Sequence, residues 1–179
     1  MAADLDLLVP AFRENVDIVL AACTAQGLEM RPNEGLRDPF TQARYWRRSR
    51  SGEEIKQKIA DLKARGLDFL AHCLHSVGPQ HGPPVTNSLP GLSWHQWGEA
   101  LDCFWLVKGK AVWDTKLLVN GKNGYRAYAA EAKKAGLDAG HYWTSFKDSP
   151  HIQLRRTSGP NKVYTLAQID KEMKKRFGG

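Results

Sequence analysis

Two short segments of this 179-residue chain hold residue types that do chemistry together. The first is Ser93-Trp94-His95-Gln96-Trp97-Gly98-Glu99-Ala100-Leu101-Asp102, and the second is Trp143-Thr144-Ser145-Phe146-Lys147-Asp148-Ser149-Pro150-His151. Asp102 interrupts an otherwise apolar run, where a carboxylate is costly to bury unless a cation or hydrogen bonds compensate. His95 lies across a turn containing Gly98, so the chain can fold back and bring imidazole to carboxylate. An Asp–His hydrogen bond that only steadies the turn would use the same residues, and this segment alone does not separate the two readings. The second segment adds His151 at the start of a strand that Pro150 can only begin. Two histidines and one aspartate satisfy a catalytic zinc site, with the fourth position open to water. Such a site also needs a carboxylate that does not bind the metal, and Asp148, three residues before His151, is the candidate. Zinc lowers the pKa of its water to about 7, and a nearby carboxylate takes the remaining proton and passes it to the leaving amine.

The elements that must position these residues are legible from periodicity and punctuation. Phe12, Val16, Val19, Leu20 and Cys23 recur at helical spacing, with Pro10 in the first turn and Gly27 as a stop. Leu28 to Pro32 reads as extended. Asp38-Pro39 is an N-cap followed by proline, opening a helix to about Arg48. Ser51 and Glu54 form a capping box for a third helix with the stripe Ile55, Ile59 and Leu62, ending at Gly66. Leu67 to Leu74 predicts a short helix, and Gly78 to Pro84 a loop. Val85 to Asn87 reads as a short strand. Ala100 to Val107 is a strand, on which Asp102 shares a face with Ala100 and Phe104. Lys108-Gly109-Lys110 turns the chain into Ala111 to Trp113. A helix from about Tyr125 to Lys134, a strand from His151 to Leu154, and an amphipathic helix marked by Leu166, Ile169, Met173 and Phe177 complete the chain. This order predicts an α+β fold in one catalytic domain, residues 1–179: a small antiparallel sheet carrying the zinc site, flanked by helices.

Composition bounds the surroundings of that chemistry. Hydrophobic residues make up 42% and charged residues 25%, the balance of a globular chain and not a disordered one. No apolar stretch reaches the length of a membrane span. Met1 to Asp6 shows no basic region followed by an apolar one, which predicts synthesis in the cytoplasm without a secretory signal. Cys23, Cys73 and Cys103 form no CxxC pair and read as reduced thiols packed as small hydrophobes. The net charge is +7, and from Arg155 to Gly179 seven Lys or Arg face two acids. That basic helix, at about 165–177, is either a solvated face or a contact for an anionic envelope.

The joint pattern Ser93-x-His95-x-x-Gly98-x-Ala100-x-Asp102 with Asp148-x-Pro150-His151 resembles the signature of the D-Ala-D-Ala metallopeptidase family. That family includes the VanX and VanY peptidases and the L-alanyl-D-glutamate endopeptidases of phage endolysins. Gly35-Leu36-Arg37-Asp38 with Gln42 is similar to its Gly-Tyr-Arg-Ser and Gln segment, with Leu and Asp replacing Tyr and Ser. The likeness runs from roughly Phe12 to Leu154. It implies a fold of the hedgehog and D-Ala-D-Ala-peptidase type, with His95, Asp102 and His151 as zinc ligands and Asp148 as the catalytic acidic residue. It also implies that Arg37 neutralises the oxyanion or a substrate carboxylate. Ser93 matches a serine that contacts substrate, and Trp143 resembles the aromatic of a Trp-x-x-Phe segment, lining the site or filling the core.

Among the family's activities, the compact chain resembles endolysins that cut between L-Ala and D-Glu, acting as monomers on the host wall once the membrane is opened. The same chemistry on another bond, a D,D- or L,D-carboxypeptidase, is the nearest alternative, since Arg37 suits either. A non-catalytic wall-binding module is disfavoured by retention of the whole ligand set and Asp148. A nucleic-acid binder, suggested by Arg44, Arg47, Arg48 and Arg50, lacks any recognised motif. Of the other histidines, His72 and His75 lie three apart on one helix without a third partner, His81 sits in the proline-rich loop, and His141 is near the site in sequence. The donor set also accepts other divalent ions.

Overall fold

The computed structural model describes residues 3–179; Met1 and Ala2, the first two residues of the segment read above for a leader, lie outside the described residues. The chain forms two compact units, Met1–Leu36 with Trp97–Arg156, and Arg37–Gln96 with Thr157–Gly179.

The first unit is the α+β part. Its strands are β1 (Glu29–Glu34), β2 (Ala100–Val107), β3 (Lys110–Val112), β4 (Asp138–Ala139) and β5 (His151–Gln153). They form one antiparallel sheet in the order β1-β2-β5-β4, with β3 paired to β2. Two helices, α1 (Pro10–Ala25) and α5 (Gly124–Lys134), supply its apolar cover. The period-two rule decides which side of β2 they cover: Leu101, Cys103 and Trp105 are buried with Met30 and Ile152 against Phe12, Val16, Val19, Tyr125 and Tyr128. Ala100, Asp102 and Phe104 are thereby turned to the opposite face. β1 runs two residues beyond the expected Pro32, because a register shift between Pro32 and Glu34 lets the strand continue past the proline, to Glu34 opposite Asp102.

The second unit is helical: α2 (Pro39–Arg47), α3 (Gly52–Ala64), α4 (Asp68–Ser76) and α6 (Leu166–Phe177). Its starts follow the expected chemistry. The Asp38 carboxylate accepts the N–H groups of Phe40 and Thr41, each at 2.9 Å, and the Ser51–Glu54 capping box is formed in both directions. In α6, Ile169 and Met173 are buried while Lys171, Lys174 and Lys175 are exposed. Asp170 accepts the Leu70 N–H at 2.9 Å, fixing α6 on the start of α4. Val85 to Asn87 is not a strand: Val85 is 47% exposed, and the preceding Pro83-Pro84 removes two ladder donors. No helix among the described residues is long and apolar enough to cross a membrane.

Candidate metal centre and active site

The carboxylate of Asp102 and the imidazole of His151 meet because their strands pair in one register. Asp102 stands directly opposite His151 in the β2–β5 ladder, with Leu101 opposite Ile152 beside them. Opposed residues on one face have neighbouring side chains. The result is a 2.9 Å contact between His151 Nδ1 and Asp102 Oδ1, with His151 8% exposed.

His95 arrives by a tight local path. A 3-10 turn spans Trp94–Trp97 and places His95 in the buried set, 3% exposed. Gly98 then takes φ +71 and leads into β2. A side chain there would be strained by that φ and would stand 3.0 Å from the Leu7 carbonyl oxygen. His95, Asp102 and His151 each offer a ligand atom within 4.8 Å of the others.

Two imidazoles and a carboxylate are a donor set that fits zinc and other divalent ions. The hydrogen bonds around His151 add to the fit. Its Nε2 is 3.1 Å from Gln153 Oε1, so both ring nitrogens face oxygen acceptors, and Nδ1 facing a carboxylate at 2.9 Å calls for a cation between them, either a proton or a metal. Burial, the largest single influence, pulls the His151 pKa down. The hydrogen bond and charge of Asp102, helped by Asp148 and Gln153, together outweigh it, and the pKa ends above its ordinary 6.5.

Asp148 is held by its backbone. Its N–H donates to the Gly140 carbonyl at 2.9 Å, and its own carbonyl accepts the His151 N–H at 3.2 Å. The segment packs so closely on Gly140 that a Cβ there would lie 2.3 Å from the Asp148 carbonyl oxygen. Nearby, His141 Nδ1 bonds Ser149 Oγ at 2.9 Å, and its pKa is lowered by burial and by the charges of Lys147 and Arg126.

Arg37 and Ser93 belong to the helical unit, where a polar cluster fixes them around His95. The Arg37 N–H donates to the His95 carbonyl at 3.2 Å. Its guanidinium donates to Gln42 Oε1 at 2.8 Å and lies 5.1 Å from the centre of the Tyr45 ring. Gln42 is fully buried; its Oε1 also accepts from Gln96 at 3.1 Å, and its amide donates to the Ser88 carbonyl at 2.7 Å. The Ser93 hydroxyl accepts the His95 N–H at 3.4 Å, and the Ser93 N–H donates to Gln96 Oε1 at 3.1 Å. Trp143 lies with its ring centre 5.2 Å from that of His151, and its indole N–H donates to Asp138 Oδ2 at 3.0 Å.

Gln96, Gln153, Asp138 and Gly140 were not expected to matter. Gln153 had a signal, since it lies two residues after His151 and so on the same strand face. Asp138 and Gly140 had none, because their relevance depends on pairing with a distant strand and loop.

Comparison with known proteins agrees with this chemistry. Residues 86–154 match the family model described as D-alanyl-D-alanine carboxypeptidase, the stretch that contains His95, Asp102, Asp148 and His151. The chain is 26% identical over 151 residues to the peptidoglycan L-alanyl-D-glutamate endopeptidase CwlK of Bacillus subtilis (strain 168), covering 82% of this chain and 73% of that protein. Among solved structures, the Serratia marcescens L-Ala D-Glu endopeptidase ChiX aligns with a TM-score of 0.44 and 18% identity, over 84% of this chain and 83% of that one. The family match and the relative are both peptidases of the kind the sequence resemblance implied; they support a peptidoglycan hydrolase, and the His–Asp–His cluster is compatible with a metal.

Proposed function

We propose that the protein is a zinc peptidase that hydrolyses the L-Ala–D-Glu bond of peptidoglycan stem peptides, in the manner of a phage endolysin acting on the bacterial wall. The single observation that carries the reading is the convergence of His95, Asp102 and His151. The likeness to CwlK along 82% of the chain supports the choice of bond.

In this reading His95, Asp102 and His151 hold the zinc. Bound there, zinc supplies Lewis acidity and a water acidified to a pKa of about 7. Asp148 is the general base, taking a proton from the attacking water at its carboxylate and delivering it to the departing D-Glu amine. Arg37, its guanidinium anchored by Gln42, stabilises the charge developing on the scissile carbonyl oxygen. Ser93 contacts the substrate backbone, and Trp143 shapes the site beside His151. The protein works as a monomer, and α6 presents Lys171, Lys174, Lys175 and Arg176 to an anionic envelope. Neutralising those four residues without loss of wall binding removes the last element alone.

The family description of the matched segment favours one second reading, carboxypeptidase action on a terminal D-Ala. Digestion of purified peptidoglycan by the zinc-loaded protein, with products identified by mass, decides between them. New L-Ala C-termini support the endopeptidase; release of free D-Ala alone moves the bond to the peptide end.

A further inference from the structure

The polar groups behind His151 form a directed chain whose polarity is fixed by atoms that can only accept. Gln153, 2% exposed, points its amide nitrogen at the main-chain carbonyl of Arg155 and, at 3.3 Å, at Asp138 Oδ2. A carbonyl oxygen has no proton to give, so the amide must present its nitrogen there and its oxygen to the other side. That oxygen faces His151 Nε2 at 3.1 Å. An amide oxygen also only accepts, so Nε2 must bear the ring proton whatever the charge state of the imidazole. Nδ1, aimed at Asp102, is then the nitrogen left free to donate a lone pair once its own proton is displaced.

The arrangement depends on the sheet. Asp138 is the register partner of Gln153 in the two-residue strand β4, which places the carboxylate beside the amide it anchors. The Trp143 indole N–H donates to the same Asp138 oxygen at 3.0 Å, while its ring packs against the imidazole. Asp138 is thus a common acceptor for Gln153 and Trp143, two of the side chains that touch His151.

We propose that Gln153, anchored by Asp138 and the Arg155 carbonyl, is the positioning residue that holds His151 in the Nε2–H tautomer and directs Nδ1 to the metal. This rests on the reading that His151 is a metal ligand. Partners of this kind alter metal affinity by about 10–100-fold when removed.

The test measures zinc affinity by competition with a chromophoric chelator for wild type, Gln153→Leu, Asp138→Asn and His151→Ala. It is paired with long-range nitrogen–proton correlation spectra of His151 in the zinc-loaded wild type. The expected result is a 10–100-fold weaker affinity for Gln153→Leu, a smaller loss for Asp138→Asn, and a wild-type spectrum with the proton on Nε2. A proton found on Nδ1 overturns the proposal without any variant, so a Gln153→Leu protein that does not fold leaves it refutable. If His151→Ala loses zinc while a folded Gln153→Leu binds within threefold of wild type, the positioning role fails and the metal reading stands. If His151→Ala binds zinc as wild type does, the metal reading itself fails.

Discussion

Replacing Gly140 by alanine perturbs Asp148, the general base of the proposed mechanism, without touching a functional group. The added Cβ would stand 2.3 Å from the Asp148 carbonyl oxygen and 3.1 Å from the Asp148 Cβ, and side-chain carbons do not sit within 3.0 Å of such atoms. The Asp148 segment must therefore retreat by roughly 0.7–1 Å from Gly140, lengthening the Asp148 N–H to Gly140 carbonyl bond now at 2.9 Å. A misplacement of about 1 Å in a reacting group costs on the order of 10²-fold in rate, which is about 2.7 kcal/mol of barrier. Overpacking of this size costs a further 1–3 kcal/mol, roughly, in stability. The assay compares kcat/KM on a defined muropeptide, zinc content and thermal midpoint for wild type and Gly140→Ala. Turnover should fall by about a hundredfold with zinc still bound and a folded protein. Turnover within threefold of wild type would refute the inference that Gly140 sets the place of Asp148; loss of zinc along with activity would show that the substitution acts on His151 instead.

Other outcomes follow from the same geometry. Asp148→Ala should retain zinc and lose about 10²–10⁴-fold in turnover, and a variant that lost the metal would remove Asp148 from the role of base. If His151 Nδ1 binds the metal as proposed, proton and metal compete for it, so zinc affinity should weaken as pH falls through the raised His151 pKa, which lies above 6.5; calorimetric titration across pH 5–9, roughly, reads it directly. In the metal-free protein the sign is the reverse. The charged His151–Asp102 pair contributes stability that is complete below the unfolded value of about 6.5 and is lost as pH rises through the raised folded value. Ser51→Ala should cost about 1 kcal/mol through loss of the α3 cap, measured by urea unfolding. Cys23 and Cys73 are buried with pKa values pushed by burial up to about 11 and about 12, and burial drives the Cys103 thiol higher still. All three should resist alkylation at pH 8 until the chain unfolds.

The sequence by itself determined the parts of this protein whose physics is local. Asp38-Pro39, Ser51 with Glu54, and the glycine stops at Gly27 and Gly66 set helix boundaries to within two residues, because caps and positive φ are decided by groups a few bonds apart. Alternation in Ala100 to Val107 separated the covered face of β2 from the face of Asp102 for the same reason. His95, Asp102 and His151 were legible as a candidate donor set from their chemistry and spacing, and they are the residues that cluster in the structure. Tertiary structure alone decided their geometry. That Asp102 stands opposite His151 is a matter of register, which a one-residue slip would abolish and which no segment states in isolation. The strand β4 has two residues and no pattern of its own; it exists because Asp138 finds Gln153. Val85 to Asn87, β-branched at its start, found no partner strand and stayed a loop. The polar chain behind His151 likewise unites Asp138, Trp143 and Gln153, whose hydrogen bonds are worth little until a folded sheet removes competing water and holds the partners in place.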